Sequence, residues 1–208
     1  MILIGQYDSP FVRRVGIALS LYGMPFEHRP WSSFGNADEL RAYNPLTRVP
    51  TLVLNDGTAL TDSHIILDYL DGLVSDDRVM FPRTEPMRHR ALRIATLATG
   101  LGDKAVSLFY EKRLHGQVSD LWVGRCRRQI EETLGVLEAS RAESRTEFWL
   151  GERIGHADIA VAAVLRFLND VHADLVTIAD YPRLRAHAEK LEALPVFQAI
   201  SQPFVPPA

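Results

Sequence analysis

Three short segments in the first third of the chain carry side chains able to do chemistry: Ser9-Pro10-Phe11, Asn44-Pro45-Leu46-Thr47-Arg48-Val49-Pro50 and Asp62-Ser63. Ser9 precedes Val12, Val15, Ala18, Leu19 and Tyr22, and Asp62-Ser63 precedes Ile65, Ile66, Tyr69 and Leu70. Both runs have helical spacing, so each polar residue stands where an N-cap belongs. Capping alone accounts for them. The same position also exposes free N–H groups and the positive end of the helix dipole, so a hydroxyl there can help to hold an anion. Pro50 reads equally well as a plain turn proline.

The elements that position these residues follow from the pattern around them. Met1 to Gln6 reads as a short strand, and the turn cluster Tyr7-Asp8-Ser9-Pro10 starts a helix that ends before Gly23. Proline suits the first turn of a helix and glycine the position just past its end. A second strand is predicted at Phe26 to Arg29 and a helical patch at Asp38 to Tyr43. Strands at Thr51 to Leu54 and Thr58 to Thr61 flank the hairpin signal Asn55-Asp56-Gly57, and a helix covers Ser63 to Leu73. That order makes an α/β unit with one hairpin edge. Ser75 to Pro86 is polar and proline-containing and reads as a linker. Beyond it only helical spacing remains: Pro86 to Leu114, Ser119 to Glu143, Ala157 to Asp170, Pro182 to Leu194 and a short turn from Pro195. The expected domains are therefore residues 1–74, a linker 75–85, and an all-helical domain 86–208.

In order and spacing the three segments resemble the glutathione-site motifs of glutathione transferases, and Ser9-Pro10-Phe11-Val12-Arg13 resembles that of bacterial members. The resemblance implies a thioredoxin-like N-terminal domain in front of an all-α C-terminal domain, the glutathione transferase fold, with glutathione as co-substrate. It implies a cis Val49-Pro50 bond that turns the Val49 N–H and C=O toward the peptide as an added strand. It also implies Arg48 near the glycyl carboxylate, Ser63 at the γ-glutamyl carboxylate and Asp62 at the α-ammonium. Ser9 becomes the candidate catalytic hydroxyl. Tyr7 is its rival, because some branches of the family use a tyrosine near this place.

The chemistry implied is activation of a borrowed thiol. A free thiol has a pKa of about 8.5, and only its thiolate is the nucleophile. A hydroxyl donated to the charged sulfur contributes about 1.5–3 kcal/mol and a helix N-terminus about 0.3–1 more, which lowers that pKa by roughly 1.5–3 units. The head of the first helix has no Cys-x-x-Cys or Cys-x-x-Ser, so dithiol exchange is excluded and the thiol must come from glutathione. A small hydrophobic electrophile is the expected second substrate, for conjugation or peroxide reduction. The alternatives are a transferase-shaped binding or regulatory module without turnover and a glutathione-dependent isomerase. The latter branch usually clusters serines and a cysteine ahead of the arginine, where this chain has Asp8-Ser9-Pro10-Phe11-Val12-Arg13.

Composition narrows the partners. At 208 residues, 47% hydrophobic and 24% charged, the chain has the composition of a globular protein. A net charge of -3, from 23 basic and 26 acidic side chains, gives no footprint for nucleic acid. No apolar run is long enough for a membrane helix and the first residues lack a basic leader pattern, so a cytoplasmic location is expected. The seven histidines lack the paired spacing of a helical metal site, so no metal is expected. Cys126, the single cysteine, lies in a charged helical run and reads as incidental. The family resemblance implies a homodimer paired through the first two helices of the back domain.

In that back domain, Gly155 stands where the family usually has Ser or Thr completing a capping box with Asp158, so Asp158 is expected to be structural. The acceptor site is expected between the domains, near Phe11, the helix around Leu108, Phe109 and Tyr110, and Phe204.

Overall fold

The computed structural model of the chain describes residues 1–206; Pro207 and Ala208, the end of the expected helical domain, lie outside the described residues. Strand β1 (Ile2–Ile4) leads through α1 (Pro10–Tyr22) to β2 (Glu27–Arg29), followed by α2 (Ala37–Arg41), β3 (Thr51–Val53), β4 (Ala59–Thr61) and α3 (Ser63–Asp71). The sheet order is β2-β1-β3-β4, with β1 parallel to β2 and antiparallel to β3, and β3 antiparallel to β4. The β3–β4 hairpin closes at Asn55-Asp56-Gly57: Gly57 takes a φ of 88°, and the Asp56 carboxylate accepts from Thr58 N–H at 2.9 Å. This is the turn chemistry that a short Asx-Gly loop supplies.

Among the described residues, all elements after α3 are helical: α4 (Met87–Leu114), α5 (Asp120–Glu143), α6 (His156–Val171), a 3-10 turn (Ile178–Asp180), α7 (Pro182–Glu192) and α8 (Pro195–Ala199). The mixed sheet with its helices and the helical remainder match the expected fold class.

Helix α6 joins the two halves. It packs on α4 behind and on α1 in front, and 12 of its 16 residues are buried, including Ala157, Ala160, Ala162 and Ala163. Its first ten residues, His156 to Leu165, are all buried, as befits a helix segment inside a core, and its alanines let neighbouring helices approach closely. Its start lacks a cap hydroxyl, as the glycine there requires. One half of the capping box survives, with Asp158 Oδ2 accepting from Gly155 N–H at 2.9 Å while Oδ1 accepts from Trp149 N–H at 2.8 Å. Cys126 is fully buried, and burial pushes its thiol up. No described helix is long and apolar enough to cross a membrane.

Candidate functional site

Helix α1 starts as its sequence demands. Ser9 is the N-cap with extended backbone, Pro10 occupies the first turn, and Gly23 ends the helix at φ 68° with its N–H on the Leu19 and Ser20 carbonyls. Ser9 Oγ accepts from Val12 N–H at 3.4 Å. That bond uses only a lone pair of the hydroxyl, so its proton remains free to donate elsewhere. Capping and donation to an anion are thus compatible in one serine.

The loop before β3 is held from behind by Asn44, which is 2% exposed. Its Nδ2 donates to the Arg48 carbonyl and to Thr51 Oγ1, both at 3.1 Å, and its Oδ1 accepts from Leu46 N–H at 2.9 Å. The Val49-Pro50 bond is cis. Among the described residues, the Val49 N–H and C=O make no backbone hydrogen bond. The ladder that sets Thr51 opposite Thr61 brings Asp62 and Ser63 up beside Pro50 and Val49, which explains the sequence spacing of the two motifs. Two non-glycine residues flank this corner in left-handed backbone, Thr47 at φ 49° and Asp62 at φ 69°. Such strain costs on the order of 1–3 kcal/mol each and gathers at binding sites.

At the head of α3, Asp62 Oδ1 accepts from His64 N–H at 2.8 Å. Ser63 is buried, and its Oγ accepts from Arg14 Nη1 at 3.2 Å. Arg14 itself is 1% exposed, and its Nε and Nη2 have no hydrogen-bond partner. Burial lowers its pKa to about 10, with the Asp62 charge working the other way, so it stays cationic at neutral pH. A buried, partly unpaired guanidinium therefore lies beneath the head of α3, an electrostatic setting suited to a carboxylate. Sequence reading missed Arg14, and also Asn44 as a holder of the loop. Arg14 lies outside the apolar positions 12, 15, 18, 19 and 22 of α1, so its spacing carries no signal of burial.

Between this front unit and the helical part lies a cleft of about 400 Å³. Ser9, Arg48 and Val49 line it on one side, and Phe109, Tyr110 and Phe204 stand among the residues of the other. The aromatic wall is built by edge contacts: the Phe204 ring lies 5.1 Å from Phe109 and 5.9 Å from Phe167. Phe11 lines the cleft as expected, whereas Leu108 is fully buried in the core and does not. Of the remaining candidates, Tyr7, Asp62 and Ser63 are not part of this lining. The Tyr7 ring stacks on His28 at 3.8 Å, and burial pushes its phenol up to about 12.

The C-terminal segment is strapped to the first loop. Arg13 forks onto Glu192 and donates from Nε to the Ile200 carbonyl at 2.8 Å. Gln202 Oε1 accepts from Tyr7 N–H at 2.9 Å, and Val205 N–H donates to Asp8 Oδ2 at 2.9 Å. These contacts seat Phe204 in the cleft wall. Among the described residues, no group of three His, Cys, Asp or Glu side chains is arranged to hold a metal.

Comparison with known proteins gives a consistent result. Residues 3–78 match the family model for the glutathione S-transferase N-terminal domain, and residues 120–190 that for the C-terminal domain. The GST-like protein YibF of Escherichia coli is 32% identical over 170 residues, 81% of this chain and 82% of its own length. A glutathione S-transferase of Methylobacterium radiotolerans, solved in complex with glutathione sulfonate, superposes with a TM-score of 0.89 at 29% identity, covering 100% of this chain and 98% of its own. A family member from Pseudomonas fluorescens Pf-5, solved with bound S-(propanoic acid)-glutathione, gives 0.83 at 32% identity, covering 97% and 99%.

Proposed function

The chain belongs to the glutathione S-transferase family, and from that premise we propose that it is a serine-type glutathione transferase that activates the thiol of glutathione for attack on a small hydrophobic electrophile. The observation that carries this reading is the Ser9 hydroxyl at the head of α1. It lines the cleft together with Val49, and its oxygen already accepts a backbone N–H while its proton is uncommitted. In the bound state the Ser9 hydroxyl keeps that proton and donates it in a hydrogen bond to the glutathione sulfur, stabilising the thiolate, aided by the helix N-terminus.

The rest of the tripeptide follows the corner just described. The Val49 N–H and C=O pair with the cysteinyl portion as a strand edge would. Arg48 meets the glycyl carboxylate. Ser63 and the α3 N-terminus, backed by Arg14, receive the γ-glutamyl carboxylate, and Asp62 receives the α-ammonium. The electrophile enters over the aromatic wall, and the thiolate forms the new bond to carbon as the leaving group departs with its electron pair. Ser9 is favoured over Tyr7 because the Tyr7 ring is stacked on His28 and is not part of the cleft lining, whereas Ser9 is.

In this reading residues 1–74 bind glutathione, 75–85 link, and 86–208 supply the acceptor wall; the protein is a cytoplasmic homodimer paired through α4 and α5. Isothermal titration with glutathione tests the central claim. Saturable binding that the S-methyl derivative retains, together with conjugation of chlorodinitrobenzene, supports it; absence of glutathione binding removes it. Binding without turnover of any electrophile moves the protein to the regulatory alternative.

A further inference from the structure

Three residues lining the cleft carry charge: Asp8, Arg48 and Asp103. Arg48 and Asp103 oppose each other electrostatically, since Arg48 works to lower the Asp103 carboxyl against the burial that raises it. Asp8 has no such counter-charge. Burial raises its pKa, and only backbone N–H groups, those of Val205, Ser9 and Asp8 itself, work the other way. Its place in the cleft follows from its contacts. It directly precedes Ser9, its Oδ2 accepts from Val205 N–H at 2.9 Å, and the neighbouring Phe204 packs edge-on against Phe109 and Phe167. Burial raises the Tyr110 phenol, a hydrogen bond with Ser33 works to lower it, and the Asp8 charge adds to the rise. The carboxylate therefore lines the cleft beside the serine, where the segment carrying Phe204 brings the aromatic wall against it.

We propose that Asp8 is a charge filter on the second substrate, so that the cleft takes an uncharged or cationic aromatic electrophile and discriminates against one that carries a carboxylate. The inference rests on reading the cleft as a transferase site and names the class of electrophile for it. The aromatic wall offers ring edges and faces to a flat apolar body. A carboxylate on that body would approach an unpaired, half-buried anion and the thiolate together, in surroundings where charges are screened far less than in water. A cationic substituent instead gains both Asp8 and the ring faces. Repulsion of this kind at a partly buried site amounts to about tenfold or more in rate.

The test uses three electrophiles that react in the same way: a chlorodinitrobenzamide, the corresponding chlorodinitrobenzoate, and an analogue with a trimethylammonium group at that position. In each, sulfur bonds to the ring carbon and chloride leaves with the electron pair. Each kcat/KM is divided by the uncatalysed rate with glutathione at the same pH, which removes differences in ring reactivity. The wild-type protein is expected to favour the amide over the carboxylate by about tenfold and to handle the cation at least as well as the amide. Asp8→Asn keeps an oxygen that can accept from Val205 N–H but lacks the charge, and should bring the amide-to-carboxylate ratio near one; Asp8→Glu should keep the preference. Any influence of Asp8 on the thiolate itself cancels in the ratio. Equal normalised rates in the wild type, or a wild-type preference that persists in Asp8→Asn, overturns the filter while leaving the transferase reading intact. Failure of the wild type to conjugate any of the three overturns that reading, and the filter falls with it.

Discussion

His156 Nε2 donates to Asp71 Oδ1 at 2.9 Å, with both side chains almost wholly buried, and the bond joins the first residue of α6 to the last of α3. The same carboxylate accepts from the Tyr22 hydroxyl and from Phe81 N–H at 3.0 Å. One acidic side chain thus ties α1, α3, the 75–85 segment and α6 together. Burial works to raise the Asp71 pKa, but His156, Tyr22 and Phe81 outweigh it and hold the carboxyl below its usual range. Burial likewise holds the His156 imidazole below its ordinary value. The pair is therefore a carboxylate and a neutral imidazole. Removing one member strands the other in the interior, so Asp71→Ala should lose about 3–5 kcal/mol in urea unfolding. A loss under 1 kcal/mol would show the tie to be dispensable.

Acid should weaken the fold earlier than carboxylate protonation alone would. Burial depresses His156 and His172, and burial followed by the Arg14 charge lowers His64 to about 4. Below the ordinary histidine value of about 6.5, the unfolded chain takes up protons that the folded chain refuses. Stability therefore falls as pH drops from about 6.5 toward 4, and falls further as the depressed Asp71 is protonated at lower pH. Melting scans should show Tm declining across that window by about 2–4 °C for each kcal/mol lost. A Tm flat between pH 7 and about 5 would contradict this assignment of neutral, buried histidines.

Ser9→Ala should separate catalysis from binding. Loss of a hydroxyl that donates to an anion costs about 1.5–3 kcal/mol, so the bound thiol pKa should rise by roughly 1–2 units and turnover at neutral pH fall about 10- to 100-fold, with glutathione affinity changing far less. Ultraviolet titration of the bound thiolate reads the shift directly. Some of the cap is lost as well, about 0.5–2 kcal/mol of stability, which a parallel melt records. Tyr7→Phe should leave the thiolate titration in place; if it abolishes the thiolate band and Ser9→Ala does not, the roles are reversed.

Restoring the absent cap hydroxyl at the start of α6 should not help. Gly155→Ser adds an N-cap oxygen, which in an open setting is worth a few tenths of a kcal/mol over glycine. Here a Cβ would stand 3.0 Å from the Met80 carbonyl oxygen, which is itself held by His156 N–H at 3.2 Å. The variant is expected to be no more stable than the parent, and a Tm gain of more than about 2 °C would refute the steric account.

The aromatic wall predicts a further split. Phe204→Ala removes the ring that bridges Phe109 and Phe167, so KM for an apolar electrophile should rise several-fold while glutathione binding is unchanged. Steady-state kinetics with the second substrate varied measures it.

Much of the scaffold could be read from local signals. Ser9, Pro10 and Gly23 bracket α1, Asn55-Asp56-Gly57 marks the hairpin, and the apolar spacing of the back half gives its helices, because each depends on residues close in sequence. What stayed hidden depends on distant packing. Arg13 and Arg14 fall in α1 where charge implies solvent, yet both are buried, because α1 is covered by α3, α6 and α8. Arg13 spends its donors on Glu192 and the Ile200 carbonyl, partners nearly the whole chain away. Asp8 looked like one more turn residue, and only the fold shows what faces it.

The bond from Val205 to Asp8 joins segments 197 residues apart, so the lining of the cleft is shared by the start of α1 and the segment that follows α8. The front sheet, its cis corner and the Ser9 cap are built from β1 to α3 alone, whereas the aromatic wall also needs Phe204 docked against Phe109 and Phe167. Detachment of the 200–206 segment would therefore strip the aromatic wall while leaving the sheet and the cis corner standing.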